Sequence, residues 1–297
     1  MSFIENLYKD EIRSGFLVRS DRKKVWEKEL EIWSEFNRIC RKYDIQYFAD
    51  SGTLLGAVRH NGFIPWDDDF DVAMLRPEYE RFKEIAATEI SAPYFFQNTY
   101  TDNRVSAFSK IMDLRTSAIE DQKLRAEDLK QGIFIDIFPL DTVLDQTPRG
   151  NRIFSIQTEL WACVINPDEV YRLIRDRANL SIERSVLEKL LAMTRLERMR
   201  EFETFCLNHF EDTDNIGFFT TVMLHPETRK NRRCYSGITY MPFETVEVPV
   251  PIGYDECLTQ EYGDYRKYVM GGTYHEGIIL SADIPYKEYL ERVTMSV

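Results

Sequence analysis

The stretch Trp66-Asp67-Asp68-Asp69-Phe70-Asp71-Val72-Ala73-Met74-Leu75 crowds four carboxylates into five positions at the point where an apolar run begins. On an extended strand alternate side chains share a face, so Asp69 and Asp71 project together while Phe70 and Val72 point into packing. Two carboxylates on one face repel each other, and one is driven neutral unless a cation or a shared proton compensates. Asp67 joins the same face if the extended conformation starts there, which leaves Asp68 as the bystander. A solvated acidic loop accounts for Asp67 and Asp68 but not for Asp71 inside an apolar strand.

A further carboxylate, Asp136, interrupts the run GIFIDIFPL between Ile135 and Ile137. A lone charge in such a strand is costly unless it is paired or bound to metal. On neighbouring strands, Asp69, Asp71 and Asp136 make a hard oxygen site suited to Mg2+ or Mn2+. The segment SGTLLGAVRH (51–60) supplies the other half of a phosphate site. Gly52 lets backbone approach a ligand closely, Thr53 offers a hydroxyl, and the first amides of the following helix point at an anion. Arg59 is a candidate for neutralising phosphate, as are Lys110 and Arg115 from SKIMDLRTS, although a salt-bridge role suits each equally well. His60 could accept a proton, or simply be exposed beside Asn61-Gly62.

Working outward, Trp26, Leu30, Trp33, Phe36 and Cys40 recur at intervals of three and four, which predicts an amphipathic helix over 22–43 with Asp21 as its N-cap. A short strand in IQYFAD, a glycine turn and a short helix follow, then a strand over 70–75 and a helix from Pro77 to about 88. Between 94 and 140 the runs are aromatic and β-branched and predict three or four strands. From Pro148 to about 210 the pattern is helical, with the clearest long helix over 182–210. Short strands near CYSGITYM and TVEVPVPI precede a helix through YDECLTQEYG. The class is therefore α+β: a mixed-sheet catalytic core with an N-terminal helix over 1–148, a largely helical second lobe over 149–240 assigned to the acceptor, and a strand-and-helix segment over 241–297 packing back on the core.

The formal net charge of −12, from 50 acidic and 38 basic residues, lacks the electrostatic footprint of a protein that tracks nucleic acid, and no nucleic-acid partner is expected. Five scattered cysteines read as reduced, buried thiols. The first residues lack the apolar core of a signal peptide, and no run approaches the roughly 18 to 20 apolar residues of a membrane span, so a cytoplasmic location is expected. Residues 9–24 carry six basic against three acidic side chains, which allows peripheral contact with an anionic membrane.

Two other readings of the acidic cluster compete. Asp67, Asp69, Asp71 and Glu78 fall at the first, third, fifth and twelfth places of an EF-hand loop, but Val72 occupies the sixth place, where glycine is required. An Asp-x-Asp flanked by apolar residues also suits a metal-dependent glycosyltransferase, although no open nucleotide-binding βαβ half precedes it here.

The segment ADSGTLLGAVRHNGFIPWDDDFDVAMLRPEYERF (49–82) resembles the signature of the LicD family, phosphocholine transferases related to fukutin-type ribitol-phosphate transferases. GIFIDIFPLD and VPVPIGYDECLTQEYGDY resemble its later motifs in the same order. The resemblance implies a nucleotidyltransferase-like fold and transfer of a phosphoalcohol, typically phosphocholine, from a CDP-linked donor to a sugar hydroxyl of a surface glycan or lipid-linked glycan, releasing CMP. It assigns Ser51, Gly52 and Thr53 to the nucleotide-binding turn, Asp67, Asp69 and Asp71 to the acidic motif, and Asp136 to the later aspartate. It also sets His275 against a histidine of that region. Between Ala162 and Thr239 no motif aligns, and a catalytically silent relative would be expected to lose a carboxylate that is kept here.

Overall fold

The apolar stripe of the first helix is realised in α1 (Ser20–Lys42), where Trp26, Leu30, Trp33, Phe36 and Cys40 are all buried. In this computed structural model, which describes residues 9–102, 104–120, 128–145, 147–211, 213–271 and 277–294, the helix starts two residues earlier than its sequence pattern suggests. Asp21 therefore lies inside the first turn, where a carboxylate favours the helix dipole, and Arg19 is the N-cap with no side-chain capping bond. A hairpin precedes it: β1 (Glu11–Arg13) and β2 (Phe16–Val18) turn through Ser14 and Gly15, both at positive φ.

The first half then gives β3 (Phe48–Ala49), helix α2 (Ser51–His60), β4 (Asp71–Leu75), helix α3 (Arg76–Glu89), β5 (Tyr94–Gln97), β6 (Ser109–Asp113), β7 (Ser117–Ile119) and the long strand β8 (Ile133–Thr142). Asn61 caps α2 in the left-handed conformation, as the Asn-Gly pair suggests. Strand β8 organises the sheet. On one edge it runs parallel to β4, from Asp71 opposite Asp136 to Leu75 opposite Leu140. Its other edge is divided between two antiparallel strands: β6 pairs with residues 133–137, and β9 (Asn215–Phe218) pairs with residues 140–142. Pro139, which has no N–H to donate, falls in the interval between them. β3 flanks β4, β5 flanks β6, and β10 (Lys230–Asn231) flanks β9, completing a seven-stranded mixed sheet.

Ring contacts of Trp33 with Phe70 and of Phe36 with Phe82 set α1 and α3 on the face of the sheet that carries Phe70 and Val72. By alternation, Asp71 and Asp136 face the other way. Strand β8 leads into α4 (Pro148–Ile165), α5 (Pro167–Arg175), α6 (Arg184–Leu191) and α7 (Arg195–Asn208). The single helix expected over 182–210 is thus two helices. Thr194 and Glu197 form a reciprocal capping box that starts α7 afresh, a local signal that outweighs the continuous apolar pattern. Leu160, Trp161, Leu187, Phe202 and Phe219 give these helices their own core. The chain then returns to the sheet through β9, α8 (Phe219–Leu224) and β10. A hairpin of β11 (Ile238–Phe243) and β12 (Val246–Pro251) packs Phe243 onto Phe63 and Phe70. Helix α9 (Tyr254–Tyr262), β13 (Ile279–Ser281) paired with β7, and α10 (Tyr286–Thr294) complete the described residues. No helix among them is long and apolar enough to cross a membrane.

Candidate active site

The sheet register draws its polar side chains into one lateral row. Asp71 is opposite Asp136, Asp136 is opposite Lys110 on β6, and Lys110 is opposite Gln97 on β5. At the far side Asp50, the residue after β3, donates its N–H to Asp71 O at 3.1 Å. Paired residues of adjacent strands share a face, so this face carries three carboxylates followed by a lysine.

Asp71 sits at the centre of that charge. Burial first, and then the charges of Asp69, Asp136, Asp67 and Asp50, push its carboxyl well above the usual carboxylate range. Each outer carboxylate has its own lysine. Lys110 Nζ stands 3.4 Å from Asp136 Oδ1 and 3.0 Å from Glu120 Oε1. Lys230 Nζ donates to Asp50 Oδ1 at 2.8 Å and pairs with Glu261 Oε2 at 3.0 Å. Burial works against the charge on Lys230, but Asp50 and Glu261 outweigh it and hold the ammonium protonated. Two buried cations thus bracket the row and leave its middle acidic.

The strand that was expected to carry both Asp69 and Asp71 begins only at Asp71, so Asp67 and Asp69 lie in the extended approach to β4. They still reach the site, because this approach folds against the start of α2. A Cβ on Gly52 would stand 2.5 Å from Asp67 Oδ2, so only glycine leaves that carboxylate its place, with Asp69 Oδ1 in ordinary contact at 4.0 Å. Asp67 is pushed up to about 8, by burial first, then by the charge of Asp69 and a hydrogen bond with it, and by Asp68. The expected glycine turn is reduced to one residue: Ser51, at φ +47°, already begins the helix. The Thr53 hydroxyl accepts the Asp71 N–H at 2.8 Å and so fixes where β4 starts.

Sequence reasoning missed several residues of this site. Arg22 Nη1 and Trp26 Nε1 both donate to Asp67 O, at 2.6 and 3.0 Å, and anchor the acidic approach on α1. Glu29 of α1 is fully buried, and burial followed by the charges of Asp69, Asp68 and Asp67 raises its carboxyl well above the ordinary range. Asp50 is visible in the sequence as the residue before Ser51-Gly52. Lys230, Glu261 and Glu120 carry no local motif, because only the fold brings them here. Asp68 is more than a bystander: it pairs with Arg22 at 3.9 Å and, with Phe16, Arg19 and Val25, lines a cleft of about 270 Å³ beside the acidic approach.

Other candidates lie elsewhere. Arg59 donates to Tyr265 O at 3.1 Å, to Lys267 O at 3.3 Å and to His60 Nε2 at 3.0 Å, and it stacks on Tyr268. It ties the end of α2 to the chain after α9. His60 is lowered to about 4 by burial and by the charges of Arg59 and Arg13, and its Nε2 already accepts from Arg59. Arg115 pairs with Asp113 Oδ2 at 2.6 Å in the turn beyond the end of β6, where the register has moved on to Ile133. His275 lies outside the described residues. Val72, at the sixth place of the EF-hand count, is a buried residue within β4, which removes that reading. Among the described residues no three carboxylate, histidine or cysteine side chains converge enough to cage a metal unaided.

Residues 44–159 match the family described as LicD/FKTN/FKRP, nucleotidyltransferase domain. Over 249 residues the chain is 32% identical to the lipopolysaccharide cholinephosphotransferase LicD of Haemophilus influenzae, covering 80% of this chain and 88% of that protein. Shorter similarities reach uncharacterised proteins of Rickettsia typhi, 40% identical over 55 residues and 18% of each chain, and of Rickettsia prowazekii, 34% identical over 79 residues and 27% of each chain. The family match contains the row from Asp50 to Asp136 but stops short of Lys230.

Proposed function

The chain belongs to the LicD family, and from that premise we propose that it transfers a phosphoalcohol, phosphocholine foremost, from a CDP-linked donor to a hydroxyl of a cell-surface glycan, releasing CMP. The observation that carries this reading is the shared register of Asp71 and Asp136, with Lys110 completing the row. Such a face offers acidic oxygen donors beside a fixed cation, the set needed where a diphosphate must be held and its leaving charge neutralised.

Mg2+ or Mn2+ suits these residues. Asp67, Asp69, Asp71 and Asp136 are hard donors, and the repulsion that raises the carboxyls of Asp67 and Asp71 is what a divalent cation would relieve. With fewer than three side chains converging, water and donor phosphate oxygens would fill the remaining ligand positions, the usual arrangement for Mg2+. Bound there, the ion would supply charge neutralisation at the diphosphate.

The chain's own residues do the rest. Gly52 leaves room for the Asp67 carboxylate against the start of α2, and Ser51 with the first amides of the helix would border a bound phosphate. Lys110 stands 3.4 Å from Asp136 Oδ1, and its ammonium would face the transferred phosphoryl group. The acceptor oxygen bonds to the phosphorus that carries the alcohol as the phosphorus–oxygen bond to CMP breaks. The bonding pair leaves with CMP, and the hydroxyl proton passes to Asp136. Arg59 and Arg115, both engaged elsewhere, are not needed for this step. All five cysteines are free and buried, which suits a reducing cytoplasmic setting, with the acceptor reached at the membrane's inner face.

The test is CMP release by the purified chain from CDP-choline, CDP-ethanolamine, CDP-ribitol and CDP-glycerol with Mg2+, alongside thermal stabilisation by each donor. Release from one of them is expected. Stabilisation by UDP-sugars alone would instead favour glycosyl transfer.

A further inference from the structure

The hairpin of β1 and β2 has two unlike faces. Arg13 and Phe16, register partners, turn inward: Arg13 lies over Trp26 and pairs with Glu244, and Phe16 meets the Trp66 ring at 6.0 Å. Ile12 and Leu17, the next register pair, point outward and are 75% and 50% exposed. A directly opposed apolar pair on the solvent face of a two-stranded hairpin supports the hairpin only locally and adds little to the core.

A second apolar projection stands beside it. After α9 the chain presents Tyr268, Val269 and Met270, with the last two 70% exposed. Trp66 joins the two projections: its ring meets Phe16 on one side and His60 on the other, His60 meets Tyr268 at 5.1 Å, and Gly271 lies against the indole nitrogen. Basic side chains border both. Lys9 and Arg19 flank the hairpin, and Arg266 and Lys267 precede Tyr268. Arg266 and Lys267 pair with Asp255 and Asp264, but exposed pairs of this kind are weak and yield readily to a denser array of anions.

We propose that this face docks on a bilayer surface carrying anionic lipid. Two apolar prongs bordered by Lys9, Arg19, Arg266 and Lys267, on a chain whose net charge is −12, match the combination an anionic interface selects: shallow insertion of side chains and attraction of Lys and Arg to phosphate. Trp66 directly precedes Asp67, so docking brings the acidic approach to β4 to the membrane surface. The cleft lined by Phe16, Arg19, Arg22 and Asp68 lies between the same hairpin and that approach. The inference deepens the transferase reading, and rests on it only for the acceptor, which would then be a glycan held on lipid.

The experiment is cosedimentation of the full chain with vesicles of phosphatidylcholine alone or mixed with phosphatidylglycerol, with no donor present. Binding to the mixed vesicles, weakened by salt, is expected. The pairs Ile12→Ser with Leu17→Ser, and Val269→Ser with Met270→Ser, should each lower it about tenfold, as loss of buried apolar contact requires, with the global melting temperature little changed because these side chains lie outside the core. No binding to the mixed vesicles, or equal binding by wild type and both variants, overturns the proposal. So does self-association of the chain abolished by the same substitutions, which would give the face to a second copy. CMP release is scored separately: a chain that binds vesicles but releases no CMP keeps this face and loses the transferase reading.

Discussion

Asp71 and Asp136 are opposite each other in the parallel register of β4 and β8, and each is only 7% exposed. Two carboxylates in that position work against folding, since neither the unfolded chain nor a hydrophobic pair would carry the repulsion. The site is therefore separable from stability by measurement.

Asp71→Asn and Asp136→Asn should each reduce turnover by roughly 10²- to 10³-fold, the range for removing one electrostatic contact made in the transition state. In metal-free buffer at neutral pH, Asp71→Asn should melt no lower than wild type, because Asn matches the uncharged form that burial and the neighbouring carboxylates favour at this position. Steady-state CMP release and thermal melting on the same samples check both halves. Turnover like wild type from either variant would remove the residue from the site.

The raised carboxyls set a pH dependence. Asp67 is pushed from 3.8 to about 8 in the folded chain, so the fold binds more protons than the unfolded chain between those values. Its contribution is fully present below about pH 4 and is lost as pH rises through about 8. Melting temperature of the metal-free protein should show this loss, Asp67→Asn should flatten it, and Mg2+ should stabilise wild type most near pH 8. Identical profiles for wild type and Asp67→Asn would contradict it.

Gly52→Ala places a methyl group where Asp67 Oδ2 now lies, 2.5 Å from the new carbon. The atom displaced is the end of a side chain, so stability should change by only about 1 kcal/mol. Transfer should fall roughly 100-fold, as expected when reacting groups are misplaced by about an ångström. Denaturant unfolding and donor turnover together distinguish this outcome from simple misfolding.

Lys230→Met should be far more damaging to the fold. It strands Asp50 and Glu261 without their shared cation, a loss of roughly 3–5 kcal/mol. Adding Asp50→Asn should recover part of it. Urea unfolding of the two variants reads the difference, and no recovery would mean that the pair is not the source of the loss.

The strongly periodic or motif-bearing parts of this molecule were legible before the fold. The α1 stripe, β4 and the strand around Asp136 all follow from spacing and local chemistry. Strand alternation would place Asp69 on the face of Asp71, but β4 starts only at Asp71, and Asp69 arrives instead through the loop that packs beside Gly52. The two lysines escaped in different degrees. Lys110 stood out as a candidate, but its pairing with Asp136 is a matter of register between strands 26 residues apart, which no local pattern fixes. Lys230 lies in a segment with no motif, in a strand of two residues that exists only because β9 is there to receive it. Arg59 and Arg115 looked equally suited to phosphate, yet backbone carbonyls and Asp113 respectively claim them.

The tie between Asp50 and Lys230 spans 180 residues and also imposes an order in time. A ribosome delivers every carboxylate of the row well before it delivers the ammonium that neutralises one end of it. Until β10 emerges, the nascent first half holds Asp50 with no counter-ion from that strand, and until β9 emerges shortly before it, the last residues of β8 lack their antiparallel neighbour. A chain interrupted before residue 230 would thus carry the whole acidic signature and remain unable to close around it.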